Sequence, residues 1–167
     1  MLPQSANTDK AAPPRLVADA MLGRLARWLR LMGYDTLYWR EGSDLELARL
    51  AQAEGRLIVT RDRQLAGRRG VHALLISAET LDAQMAEASA ALGGQPSPFS
   101  RCPECNTPLA ELAHDAARDL VPPYVWRTQA VFRRCADCGR IYWKGTHWPG
   151  MMARLDVDPR EGNADPG

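Results

Sequence analysis

All four cysteines of this 167-residue chain fall into two CxxC pairs, Cys102-Pro-Glu-Cys105 and Cys135-Ala-Asp-Cys138, with 29 residues between them. No other feature restricts the fold as strongly. Two residues between paired cysteines let both sulfurs reach one metal ion, and N–H groups of the intervening turn stabilise the thiolates. Two such pairs complete a tetrahedral set, so Cys102, Cys105, Cys135 and Cys138 are expected to hold a structural zinc ion in a closed site. Such a site leaves no coordination position for chemistry. The gap between the pairs is longer than the commonest spacing, which a zinc ribbon accommodates as an insert between its knuckles. Gly139, directly after the second pair, suits the tight turn of a knuckle.

The rival reading is two disulfides, and it turns on compartment. The first residues, MLPQSANTDKAAPP, offer neither the charged nor the apolar region of a secretory signal. A cytoplasmic protein is the expectation, and the cytosol keeps thiols reduced. A redox CxxC fits less well, because neither pair opens a helix in a thioredoxin-like context. No apolar run approaches the roughly 20 residues of a membrane span, so no membrane partner is expected.

Ahead of the cysteines the pattern changes. Short apolar runs at 15–18, 35–39, 56–60 and 72–77 read as strands, and 21–32, 44–54 and 81–92 read as helices. Leu22, Leu25, Leu29 and Met32 form an apolar stripe at helical spacing. Gly33 and Gly55 stand where helix-ending glycines belong. The alternation predicts an α/β domain with a parallel sheet and helices packed on its faces. The implied organisation is a disordered leader over 1–14, the α/β domain over 15–92, a Gly/Pro linker over 93–100, the zinc ribbon over 101–152 and a disordered tail over 153–167. The tail is acidic and broken by proline, which disfavours a packed core.

Three acids occupy comparable places in this pattern. Asp19 ends the first strand, Asp44 opens the second helix, and Asp62 follows the third strand. In a parallel sheet the carboxyl ends of strands and the amino ends of the following helices share one edge. Converging carboxylates there bind Mg²⁺ or Mn²⁺, and such ions activate water for phosphodiester attack. Each acid also has a purely structural role open to it. Ser43-Asp44-Leu45-Glu46 reads as a capping box, Asp44 complements the helix dipole, and Asp19 and Asp62 suit N-caps.

Asp19 at the end of the first strand, SDLELARLA over 43–51 and IVTRDRQL over 58–65 resemble PIN-type ribonucleases. More closely, ADAMLGRLARWLRLMGYDT, EGRLIVTRD, CPEC and CADCGRIYWKGTH together resemble the Mut-seven C-terminal RNase domain family, from about Leu16 to Met152. In that family a PIN-like domain is fused to a zinc ribbon. The resemblance implies a PIN-like three-layer α/β domain, and a ribonuclease whose Mg²⁺ or Mn²⁺ ions are held by Asp19, Asp44 and Asp62 as catalytic residues. PIN enzymes usually carry a further acid on an intervening helix. Nothing in this chain matches it, since Asp35 and Glu41 sit in a different local context.

Candidates for gripping RNA, expected to be single-stranded, come from both parts of the chain. Arg24 and Arg27 lie one and two turns into the first helix, and Arg61 adjoins Asp62; these are the candidate phosphate contacts. In the ribbon, Lys144 and His147 accompany Arg133, Arg134, Arg140, Tyr142, Trp143 and Trp148, a mixture of cations and rings suited to stacked bases and phosphates. The structural alternatives are a solvated arginine face and, for Tyr142 and Trp143, packing between ribbon and sheet domain. A net charge of +1 announces no global attraction to nucleic acid. Two further functions therefore stand beside the nuclease. One is a non-catalytic RNA-binding protein that uses its ribbon; the other is a toxin-like endoribonuclease.

Overall fold

The computed structural model describes residues 12–94 and 96–154, so the leader before residue 12 and the tail beyond residue 154 lie outside the described residues. Strands β1 (Leu16–Ala18), β2 (Thr36–Tyr38), β3 (Leu57–Thr60) and β4 (Ala73–Leu75) form a parallel sheet in the order β2-β1-β3-β4. Each lies inside its expected segment. The helices are α1 (Gly23–Leu31), α2 (Asp44–Glu54), the short α3 (Arg63–Ala66) and α4 (Leu81–Leu92).

Strand residues alternate between two cores, as a period of two requires. Leu16, Ala18 and Val59 face a core shared with the α1 stripe of Leu22, Leu25, Leu29 and Met32 and with Met85 and Ala88 of α4. Val17 and Ile58 point the other way, onto Leu47 and Ala51 of α2 and Leu65 of α3. The result is three layers, helix, sheet and helix. Ser43 and Glu46 close the capping box that starts α2, and Gly55 ends it in a left-handed conformation.

The strand order fixes where a site can open. From β1 the chain moves through α1 to β2 on one side; from β3 it moves through α3 to β4 on the other. α1 and α3 cover opposite faces. The carboxyl ends of β1 and β3 therefore flank a topological switch point, the crevice where open α/β sheets bind ligands.

Strands β5 (Leu109–Leu112), β6 (Phe132–Cys135) and β7 (Ile141–Trp143) build a separate antiparallel sheet in the order β5-β6-β7. The long insert between the cysteine pairs carries a 3₁₀ turn and α5 (Pro123–Thr128). It has its own small core of Ala117, Val121 and Phe132. His114, without an evident partner in the sequence, packs against this core at Trp126 and Phe132: its Nε2 lies 2.8 Å from the Trp126 carbonyl, and the Trp126 indole N–H donates to the His114 carbonyl at 3.0 Å.

Two expectations change on contact with the fold. Within the expected linker, the described residues Ser97 and Phe99 lie against the α/β domain. Phe99 is buried in the core beneath α1, and its N–H donates to the Leu31 carbonyl at 2.8 Å. At Gly33 (φ +99°) an added Cβ would lie 2.1 Å from the Ser97 carbonyl oxygen, so the segment runs directly against the end of α1. The cause is one large apolar side chain, Phe99, in an otherwise small and polar stretch. Second, Tyr142 and Trp143 do not share a face. Tyr142 packs towards the α1 core and Trp143 towards the insert, because neighbours on a strand point to opposite sides. The anchor on the sheet domain is completed by α6 (Trp148–Arg154), which buries Trp148 and Met152 beside Phe99 and runs past the expected start of the tail at 153.

Candidate active site and metal centre

At the carboxyl edge, β1 ends in Asp19, whose N–H still donates to the Val59 carbonyl at 3.0 Å. The Asp19 side chain caps the 3₁₀ turn Ala20–Leu22 through Oδ1, which accepts the Met21 N–H at 3.0 Å. Its Oδ2 accepts the hydroxyl of Thr60, the last residue of β3. The same Thr60 oxygen accepts the Asp62 N–H at 2.9 Å. Asp62 in turn caps α3, taking the N–H groups of Gln64 and Leu65 at 2.7 and 3.2 Å. A continuous hydrogen-bonded path thus joins two of the three sequence-predicted acids through a fully buried threonine.

Asp44 stands at the first position of α2, exposed, beside the Ser43–Glu46 box. The capping roles open to Asp19 and Asp62 in the sequence are therefore filled. Each carboxylate oxygen has a second lone pair, so capping leaves acceptor capacity. Among the described residues, the only group of three or more His, Cys, Asp or Glu side chains gathered closely enough to enclose an ion is the cysteine set. Asp19, Asp44 and Asp62 do not form a cage.

The cysteine centre is tighter. Cys102, Cys105, Cys135 and Cys138 place their sulfurs within 4.8 Å of one another, and all four are free thiols. The Cys102 and Cys138 sulfurs lie 3.8 Å apart, close to the edge of about 3.8 Å in a tetrahedron with bonds of about 2.3 Å to sulfur. Four cysteines so placed could hold a metal ion such as zinc. The two knuckles match. Cys102 accepts the Asn106 N–H at its carbonyl as Cys135 accepts that of Gly139, both at 2.9 Å, and Asn106 and Gly139 share left-handed φ values of 67° and 71°. Burial opposes a Cys102 thiolate, but the Tyr142 hydroxyl and the Cys105 and Glu104 amides outweigh it and bring the thiol down to about 7. The Cys105 thiol is pushed up to about 12, first by its hydrogen bond with Cys138 and then by desolvation and the nearby Cys102 charge.

The first knuckle is fastened to the sheet domain by residues that sequence reasoning passed over. Arg30 is buried, and its guanidinium donates to the carbonyls of Thr36, Pro103 and Glu104 at 2.8, 3.0 and 3.0 Å. Asn106 accepts the Thr36 N–H at 2.9 Å and donates to Asp35 at 2.8 Å, closing the free edge of β2. The sequence signal for it is weak: with Arg24 and Arg27 at i, i+3 and i+6, Arg30 reads as one more cation on a polar helix face. Asp35, at the opposite edge from Asp19, forms ion pairs with Arg15, Arg56 and Arg101 and has no part in the carboxylate edge. A cavity of about 400 Å³ opens at that amino edge as well, among Arg15, Arg56 and His72.

The expected phosphate contacts are dispersed. Arg24 is exposed near the amino end of α1, and Arg61 is half-buried beside Asp62. Arg27 instead pairs with Glu104 of the first knuckle at 2.6 Å. Lys144 lies 5.1 Å over the Trp148 ring, and exposed His147 lines a groove against α1.

A parallel sheet with helices on both faces and acids at its switch point, joined to a module whose four cysteines could hold a metal ion, defines an α/β protein with two candidate sites. Among the described residues, no helix is long and apolar enough to cross a membrane. The chain belongs to the Mut7-C RNAse domain family, whose model matches residues 14–155. That membership suggests a nuclease-like role, with RNA as the substrate class. No curated protein and no solved structure gives a significant match.

Proposed function

We propose that this protein is a metal-dependent ribonuclease with a PIN-like catalytic domain and a structural zinc ribbon, acting on single-stranded RNA in the cytoplasm. The observation that carries the reading is the Asp19–Thr60–Asp62 path at the sheet's switch point. Asp19 and Asp62 would hold Mg²⁺ or Mn²⁺, with exposed Asp44 reaching the ion through water or substrate. Such an ion supplies an acidic water for in-line attack on a phosphodiester and a positive charge for the leaving oxygen. Thr60 keeps Asp19 oriented by donating its hydroxyl to Oδ2. Arg24 and Arg61 flank the edge and bind phosphates on either side of the scissile bond. Met21 and Leu45, the exposed apolar residues that follow Asp19 and Asp44, give the bases something to rest on.

Cleavage of end-labelled RNA in Mn²⁺ tests this. Asp19→Asn and Asp62→Asn should each lower the rate about a hundredfold or more, as loss of a preorganised charge does. Cleavage that survives both substitutions would reject the carboxylate edge. Tight RNA binding with no cleavage by wild type would move the protein to the non-catalytic, ribbon-based reading.

A further inference from the structure

Beyond the carboxylate edge, a groove of about 580 Å³ runs between α1, the first cysteine knuckle and α6. Its lining includes the half-buried Trp28, Tyr142 and Met151 and the exposed Arg27, His147 and Arg154. The lining contains no carboxylate; Glu104 forms an ion pair with Arg27, one of the lining residues. Arg154 lies 5.9 Å over the Trp28 ring. A second hollow of about 190 Å³ continues from it past Trp143, Gly145 and Trp148. Aromatic side chains call for a planar partner, and the guanidinium groups of Arg27 and Arg154 call for an anionic one. A nucleotide is both.

We propose that this groove is a nucleotide-binding subsite for single-stranded RNA, in which a base stacks on Trp28 and the adjoining phosphate is held by Arg154 and His147. It deepens the nuclease reading, on which it rests for the choice of RNA. The placement suits that role. Trp28 stands five residues into α1, about 8 Å along the axis from the helix start beside Asp19. The arginine helix thus serves as a track between the carboxylate edge and a distal hold. Arg24 lies at its near end and Arg27 one turn further on, next to Trp28. The ribbon's part in RNA binding is then to supply one wall of a groove, through Tyr142 and His147, rather than a face of its own. Because each base offers a π face and each link a phosphate, the subsite favours single strands without reading sequence.

The test uses full-length, zinc-loaded protein and a fluorescein-labelled single-stranded RNA decamer, without added Mg²⁺ or Mn²⁺, read by anisotropy. Trp28→Ala and Arg154→Glu should each weaken binding about tenfold, the size expected when one stacking face or its phosphate contact is lost. Trp28→Phe should largely restore binding, which separates stacking from mere folding. Reversing the charge of Arg68 and Arg69, far from the groove, should leave it unchanged. A duplex of the same length should be indifferent to Trp28→Ala. Wild-type affinity in both groove variants, or equal losses for single strand and duplex, would overturn the proposal. Its failure is distinct from failure of the nuclease reading. The first appears as unchanged binding by Trp28→Ala, the second as undiminished cleavage by Asp19→Asn and Asp62→Asn.

Discussion

The hydroxyl of Thr60 donates to the carboxylate of Asp19 across the two central strands, and the same oxygen accepts the N–H of Asp62. One buried side chain therefore sets both the rotamer of the first acid and the backbone that carries the last. Thr60→Val keeps the volume but orphans a carboxylate oxygen and an amide, each with a cost of about 1–3 kcal/mol when buried. The variant should lose about 2 kcal/mol in urea unfolding and lose more RNA cleavage than that instability explains. Thr60→Ser should retain most of both.

Arg30 holds the first cysteine knuckle onto α1 and β2 by three backbone carbonyls. Arg30→Met fills the space without the donors. Stability should fall by about 3 kcal/mol, the upper end for losing hydrogen bonds from a charged donor. The Glu104 and Pro103 carbonyls lose their tether, so the variant should also release zinc faster to a colorimetric chelator. Unchanged release kinetics would show that the knuckle holds its shape unaided.

Removal of zinc should be felt beyond the ribbon. Protein as isolated is expected to contain one zinc per chain by atomic absorption, and chelation should lower its melting temperature. The Thr36 amide, whose acceptor is Asn106 of the first knuckle, should then exchange with deuterium much faster, while the Val59 amide in the central strand changes little. Identical exchange at Thr36 with and without zinc would disconnect the two parts.

Asp35 carries the clearest dependence on pH. Burial opposes its charge, but hydrogen bonds from Arg56 and Asn106 and the charges of Arg56 and Arg101 outweigh that and hold its carboxyl at about 2, against an ordinary 3.8. A depressed carboxyl stabilises the fold fully above the ordinary value and loses that contribution as pH falls towards the depressed one. About 2 kcal/mol should therefore disappear between roughly pH 4 and pH 2. Asp35→Asn should flatten this part of the acid unfolding curve and lower stability at neutral pH, where Arg56, 5% exposed, loses its main partner.

Local sequence carried much of the fold. Strand runs, the Leu22–Leu25–Leu29–Met32 stripe, the Ser43–Glu46 box and the glycines after α1 and α2 all depend on neighbours within a few residues, and each appears where expected. So do the two knuckles, because CxxC geometry is short-range. The start of α1 shifted, since Asp19 binds the Met21 amide and draws Ala20–Leu22 into a 3₁₀ turn first.

What the chain order determined by itself is a set of elements: a parallel α/β half with acids after its strands, and four thiols paired for one ion. Only the tertiary structure decided how they meet. It put β1 beside β3, so that Thr60 comes to Asp19 from 41 positions away. It turned Arg30 and Arg27 from an apparent solvent face into contacts with a knuckle more than 70 residues on. It also left Asp19, Asp44 and Asp62 at one edge without closing them into a cage. Periodicity and capping are encoded within one or two turns of chain, whereas strand order and the docking of the ribbon depend on which distant surfaces bury each other, and no short stretch of sequence contains both partners.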